Sequence, residues 1–183
     1  MRIITGTPGT GKHTIARRVA RELGLHLVDV NEVAKTCGLA KRKGGALEVD
    51  VVKLSNMIKR KIPQASLLVG HLAPYVVSKR NVESCIVLRR SPYKLERSYR
   101  ARGYSRKKAL ENLGSEILGT IYYDAVKNFG RKKVLQLDTT NLTVPDTVKK
   151  ARSLLAGRRT GSKDVDWLKI ISKKGDLRRF FPY

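Results

Sequence analysis

A chain of 183 residues is long enough for one domain with a sizeable core and too short for two of ordinary size. Thirty-nine Lys and Arg against fifteen Asp and Glu give a formal net charge of +24, far beyond what solubility needs; this points to a polyanionic partner, the alternative being a merely solvated basic surface. Two cysteines without metal-type spacing, Cys37 and Cys85, disfavour a disulfide and fit a reducing compartment, and no window approaches the roughly twenty apolar residues of a membrane span, so the expectation is a cytoplasmic protein without a membrane partner.

Short β-branched runs alternate with longer helical patterns along the chain, which argues for parallel strands joined by crossover helices. The first strand is "RIIT" (2–5), entered without the apolar run of a signal peptide. A helix follows in which Ile15, Val19 and Leu23 share one face and Arg17, Arg18 and Arg21 lie toward the other. The second strand is "LHLVDV" (25–30), and "KTCGLAKRKGG" (35–45) reads as a loop because glycines combine with a charge run. A helix over 50–61 leads to the strand "SLLVG" (66–70), then to "CIVLRR" (85–90), a helix over 91–101 and a long helix over 106–128 with Leu110, Leu113, Ile117 and Ile121 at core spacing. The last strand is "KVLQLDTT" (133–140), followed by a helix over 143–156 and a basic, aromatic tail.

Residues 6–14, "GTPGTGKHT", sit where the first strand turns into the first helix. Gly6, Gly9 and Gly11 permit a close backbone approach, the freed N–H groups and the helix N-terminus form an anion cradle, and Lys12 adds a point charge for terminal phosphates. The common form of this loop carries Ser or Thr directly after the lysine, where His13 stands. The stretch resembles the loop of nucleoside monophosphate kinases, in which the hydroxyl often comes one residue later, at the position of Thr14. Further on, Leu88-Arg89, Arg102-Gly103-Tyr104 and Glu111-Asn112 with Glu116-Ile117 resemble the marks of a narrower group, the small adenylate kinase-like ATPases of archaea and eukaryotes, also called coilin-interacting nuclear ATPases and ribosome-biogenesis kinases.

The resemblance covers residues 1–156 and implies a P-loop NTPase of α/β class, a five-stranded parallel sheet flanked by helices with a monophosphate-binding flap (about 30–53) and a short lid (about 102–112). It makes Gly9, Gly11, Lys12, His13, Thr14 and Arg102 the contacts to ATP, with Lys12, Arg102 and His71 in the catalytic step, Lys35 and Arg89 at the acceptor, and Thr14 on the Mg²⁺ ion. It implies ATP and AMP as substrates, ATPase activity, and association with a small-subunit ribosomal platform protein and rRNA. One departure is Val69, where the family often places an acidic residue two positions before His71; metal support must then come from phosphate oxygens, Thr14, water or another acid such as Asp29.

Three readings stand at this stage: a monophosphate kinase, an ATPase assembly factor, and an RNA-associated nucleotide binder with little turnover. The tail over 157–183 begins as a Gly-rich basic linker and carries Trp167, Leu168 and Ile171, then Arg178, Arg179, Phe180, Phe181 and Tyr183. Its rings either stack on bases or bury against the domain.

Overall fold

The computed structural model describes residues 1–43, 46–158 and 164–182. Strand β1 (Arg2–Thr5) runs down the middle of a sheet and delivers the chain through the glycine-rich loop into α1 (Lys12–Leu23), whose buried stripe is Ile15, Ala16, Val19 and Ala20. Leu23, expected on that stripe, is 37 % exposed at the helix end. Strand β2 (His26–Asp29) passes straight into α2 (Val30–Thr36), because the Asp29 carboxylate accepts from the N–H groups of Asn31 and Glu32 and caps the helix.

The stretch read as a loop over 35–45 is mostly regular. It ends α2 and then forms one arm of an antiparallel hairpin, β3 (Ala40–Lys43) with β4 (Ala46–Val49); Gly44 and Gly45 lie outside the described residues. Much of the charge run that suggested a loop is thus strand in a small, separate sheet. Helix α3 (Val51–Lys61) returns to β5 (Ser66–Val69), which is buried along its whole length.

The short α4 (Ala73–Val76) and a 3-10 turn lead to β6 (Ser84–Arg89), then α5 (Pro92–Ala101), α6 (Arg106–Leu118) and α7 (Thr120–Phe129). The single helix expected over 106–128 is two, broken at Gly119 with φ 66°, a left-handed angle that a side chain rarely adopts; an added Cβ there would sit 3.4 Å from the Arg89 guanidinium. Strand β7 (Val134–Asp138) and α8 (Val144–Leu155) complete the main unit, and α9 (Trp167–Lys173) and α10 (Leu177–Phe180) follow.

The five strands pair in the order β2-β5-β1-β6-β7, all parallel, as predicted for the α/β P-loop class. Alternate residues feed opposite faces. Ile3, Val28, Leu68, Cys85 and Val87 pack under α2, α3, α4 and α7, whereas Ile4, Leu67, Val69, Ile86 and Leu88 pack under α1 and α8. Burial at Cys85 pushes its thiol up, which makes it an inert core group. No helix among the described residues is long and apolar enough to cross a membrane.

A third cluster joins Leu95 and Tyr99 of α5, Leu113 and Ile117 of α6, and Trp167, Ile171 and Phe180 of the tail. The tail rings therefore bury against the domain, with Phe180 edge-on to Tyr93 and Arg179 paired to Glu96. Tyr183 and linker positions 159–163 lie outside the described residues.

Candidate active site

All five strands point their C-terminal ends to one edge of the sheet, where ligands of open α/β sheets bind. The loop of residues 6–11 sits at that edge, beyond the central strand. Gly9 has φ 86°, and a Cβ there would lie 2.9 Å from Leu95 Cδ2 and 3.2 Å from the Tyr99 ring, so the loop closes onto α5 only with glycine at this position. Tyr99 also donates from its hydroxyl to the Pro8 carbonyl at 2.6 Å and stacks on Tyr104 with ring centroids 5.1 Å apart. The Arg102-Gly103-Tyr104 turn is thereby tied to the loop through two tyrosines.

Lys12 is buried, and its ammonium donates to the Thr7 carbonyl at 3.3 Å. Desolvation lowers its pKa to about 8; Asp29 and Glu116 oppose the shift and the positive charge of Arg102 adds to it. Arg102 is exposed, yet its charge reaches Lys12. The positive charges of Lys12 and Arg102 thus act on each other, a repulsion that an incoming polyphosphate would neutralise.

Successive residues of the first turn of α1 face different cavities, as the 100° step of a helix requires. His13 joins Asp29, Asn31, Lys35 and His71 around a cavity of about 280 Å³, roofed by Val49 at the end of the hairpin. Thr14 joins Thr10, Gly11, Arg90, Thr139 and Thr140 around a second, of about 190 Å³. Thr14 thus lines the second cavity, and His13 the first.

In the first cavity Lys35 is held by Glu32 at 2.7 Å, which raises the Lys35 pKa, and His71 Nδ1 lies 3.4 Å from Asn31 Nδ2. Loss of hydration, then the charges of Lys12 and His13, lower the His71 pKa, so its imidazole is neutral at pH 7. His13 Nδ1 lies 2.9 Å from Asp29 Oδ2, a partner that the sequence did not suggest.

Arg89, expected at the acceptor, is 2 % exposed and turned away from both cavities. Its Nε donates to Glu116 Oε1 at 2.9 Å, its Nη2 to the Glu116 carbonyl at 2.7 Å, and its Nη1 to Gln136. The physical reason is the alternation of β6, which sends residue 89 inward and leaves Arg90 at the sheet edge, where Arg90 Nη1 donates to the Gly9 carbonyl at 3.1 Å. Glu116 in turn accepts from the Thr7 hydroxyl at 2.5 Å, the Arg90 N–H at 3.0 Å and the indole N–H of Trp167 at 3.0 Å. One buried carboxylate connects the loop, β6, α6 and the tail. Trp167 is the sole tryptophan and lies one residue from Thr7 through Glu116, so its fluorescence is a natural reporter of the loop.

Sequence reasoning named Glu116 only as a family mark, without its contacts, and missed Arg90 and the Thr139–Thr140 turn. The signal for the turn was positional: it follows β7 at the same sheet edge as the loop.

A model of the AAA domain family matches residues 3–119. A Thermococcus onnurineus protein named "Putative adenylate kinase" is 31 % identical over 172 residues, 93 % of this chain and 92 % of its own length. A Pyrococcus furiosus protein of the same name is 33 % identical over 174 residues, 93 % of this chain and 92 % of its own. The chain belongs to this adenylate kinase-like family. The family's fold is shared more widely: shikimate kinase from Aquifex aeolicus superimposes with a TM-score of 0.53 at 17 % identity, over 88 % of this chain and all of that one. Shikimate kinase from Bacteroides thetaiotaomicron gives 0.54 at 15 % identity, over 85 % and 97 %.

Proposed function

We propose that the chain is a nucleoside monophosphate kinase of adenylate kinase type that transfers the γ-phosphoryl group of ATP to AMP. The observation that carries this reading is the pair of cavities at the start of α1, one lined by His13 and the other by Thr14, the two residues that follow Lys12. The relatives named "Putative adenylate kinase", at 31 % and 33 % identity, support it. The cavity of Thr14, Arg90 and Thr140 takes the ATP base side, and that of Lys35 and His71 takes the acceptor.

Transfer breaks the bond between the γ-phosphorus and the β-bridging oxygen and forms one to the acceptor phosphate oxygen, giving two diphosphates. The loop N–H groups and Lys12 hold the β- and γ-phosphates, and Arg102 closes on the charge spread over the moving group. Lys35 releases Glu32 to hold the acceptor phosphate, and neutral His71 orients the attacking oxygen by hydrogen bonding.

The family implies a Mg²⁺ ion with the ATP. The side chains fit an oxygen-bound ion poorly: Val69 is apolar and buried, position 13 is an imidazole, and among the described residues no cluster of three His, Cys, Asp or Glu could hold a metal. The steps assigned above use charge and positioning by the protein alone.

The finer reading adds ATPase activity and a cytoplasmic role in small ribosomal subunit maturation beside a platform protein and rRNA. The charge of +24 supports it, as does a groove between α1 and α8 flanked by Arg18, Lys149 and Arg158. One assay separates the readings: ADP release from ATP with a divalent ion, with and without AMP, and with and without RNA. Release that requires AMP is the expected result; release without acceptor, raised by RNA, would favour the assembly ATPase, and no release would sink both.

Phosphate binding also has a pH signature. Lys12 has a pKa of about 8 in the free protein, and a bound polyphosphate favours its charged form, so ATP binding takes up protons around pH 8 and weakens as pH rises beyond it. Calorimetric titration at pH 8 in buffers of different ionisation enthalpy should show net proton uptake, absent in Lys12→Met.

A further inference from the structure

The common phosphate loop places a hydroxyl directly after its lysine to face the metal of the nucleotide. Here that position is His13, and Thr14 is turned into the other cavity. The second usual oxygen source, a carboxylate at the end of the third strand in sequence, is replaced by Val69. The sheet register sets Asp29 of β2 opposite Val69, so a carboxylate survives one strand over. Both of its oxygens are engaged: Oδ1 caps α2 by accepting from Asn31 N at 3.0 Å and Glu32 N at 3.3 Å, and Oδ2 faces His13 Nδ1 at 2.9 Å.

These contacts give His13 a defined chemistry. A carboxylate beside Nδ1 keeps a proton on that nitrogen and fixes the ring, which leaves the Nε2 lone pair for another partner. The contact to Asp29 is the only polar one the His13 side chain makes among the described residues. Carboxylate, histidine and metal in line is the recurrent way in which proteins orient an imidazole ligand. His71 lines the same cavity as a second imidazole.

We propose that His13, oriented by Asp29, supplies a nitrogen ligand to the divalent ion that accompanies the nucleotide, so that the site prefers Mn²⁺ over Mg²⁺. This rests on the nucleotide-binding reading above. Mg²⁺ demands a near-ideal shell of oxygens, whereas Mn²⁺ accepts imidazole together with the phosphate oxygens and water that fill the remaining positions. A single protein nitrogen suffices because the nucleotide brings the ion with it.

The test is pulsed electron paramagnetic resonance of Mn²⁺·ADP on the full chain, prepared unlabelled and with ¹⁵N-histidine. The expected result is a nitrogen coupling that changes from ¹⁴N to ¹⁵N with the label, which adenine nitrogens cannot mimic, and that vanishes in His13→Thr. Trp167 fluorescence titrations with ADP should show the Mn²⁺ over Mg²⁺ preference falling by about tenfold or more in His13→Thr, and Mn²⁺ affinity falling about 10- to 100-fold in Asp29→Asn. Bound Mn²⁺·ADP without a label-sensitive coupling overturns the proposal, and this readout on the unaltered protein does not depend on any variant folding. Metal-free ADP titration separates the two failures: ADP that binds while the coupling is missing removes only the ligand assignment, and ADP that does not bind removes the nucleotide reading with it.

Discussion

Lys12→Ala should lower phosphoryl transfer by roughly 10³-fold or more, the scale on which a cationic clamp on a transferring phosphoryl group acts. The same change should leave thermal stability unaltered or raised, because the free protein holds a desolvated ammonium whose pKa is depressed to about 8. The sign follows from that shift. A lysine whose folded pKa lies below its unfolded value of 10.5 opposes folding increasingly as pH falls from 10.5 to about 8, and the full penalty persists below. Steady-state rates and melting curves of the variant at pH 7 check both halves. A loss of activity accompanied by an equal loss of stability would mean that Lys12 holds the loop together rather than holding phosphate.

Glu116→Ala should have the largest effect on folding, about 3–5 kcal/mol in urea denaturation, the range for leaving a buried charge without its partner. Arg89 would remain at 2 % exposure with its strongest partner gone, and the Thr7 hydroxyl and Trp167 N–H would lose their acceptor in the same step. Replacing both ends of the buried pair, Glu116→Leu with Arg89→Met, should recover part of the loss, since an apolar pair removes the desolvated charge as well. Glu116→Gln should fold better than Glu116→Ala and still impair transfer, because it keeps the shape but weakens the hold on Thr7. If Glu116→Ala folds normally, the carboxylate is not the junction between loop and tail.

The sheet was legible because buried parallel strands write themselves as short β-branched runs: each of the five expected strands overlaps an observed one, and the strand expected over 85–90 starts one residue earlier, at Ser84. The phosphate loop was legible because its backbone geometry permits few residue types. The hairpin over 40–49 was not, since its run of basic residues leaves no apolar period to read. The break at Gly119 was hidden by apolar spacing that continues in phase from Leu113 and Ile117 to Ile121. Arg89 and Arg90 could not be told apart in sequence; the pleat decides which is buried beneath Glu116 and which reaches the loop. The His13–Asp29 pair joins residues sixteen positions apart through the placement of α1 beside β2, so neither residue announces the other.

The most direct test of the two-cavity account is binding of a bisubstrate compound in which two adenosines are joined through five phosphates, followed by Trp167 fluorescence and calorimetry. Linking the donor and acceptor halves makes the second contact intramolecular, so the account predicts one compound per chain, a Kd about 10²-fold or more below that of ATP, and competition with both ATP and AMP. Binding no tighter than ATP, or competition with ATP alone, would contradict it.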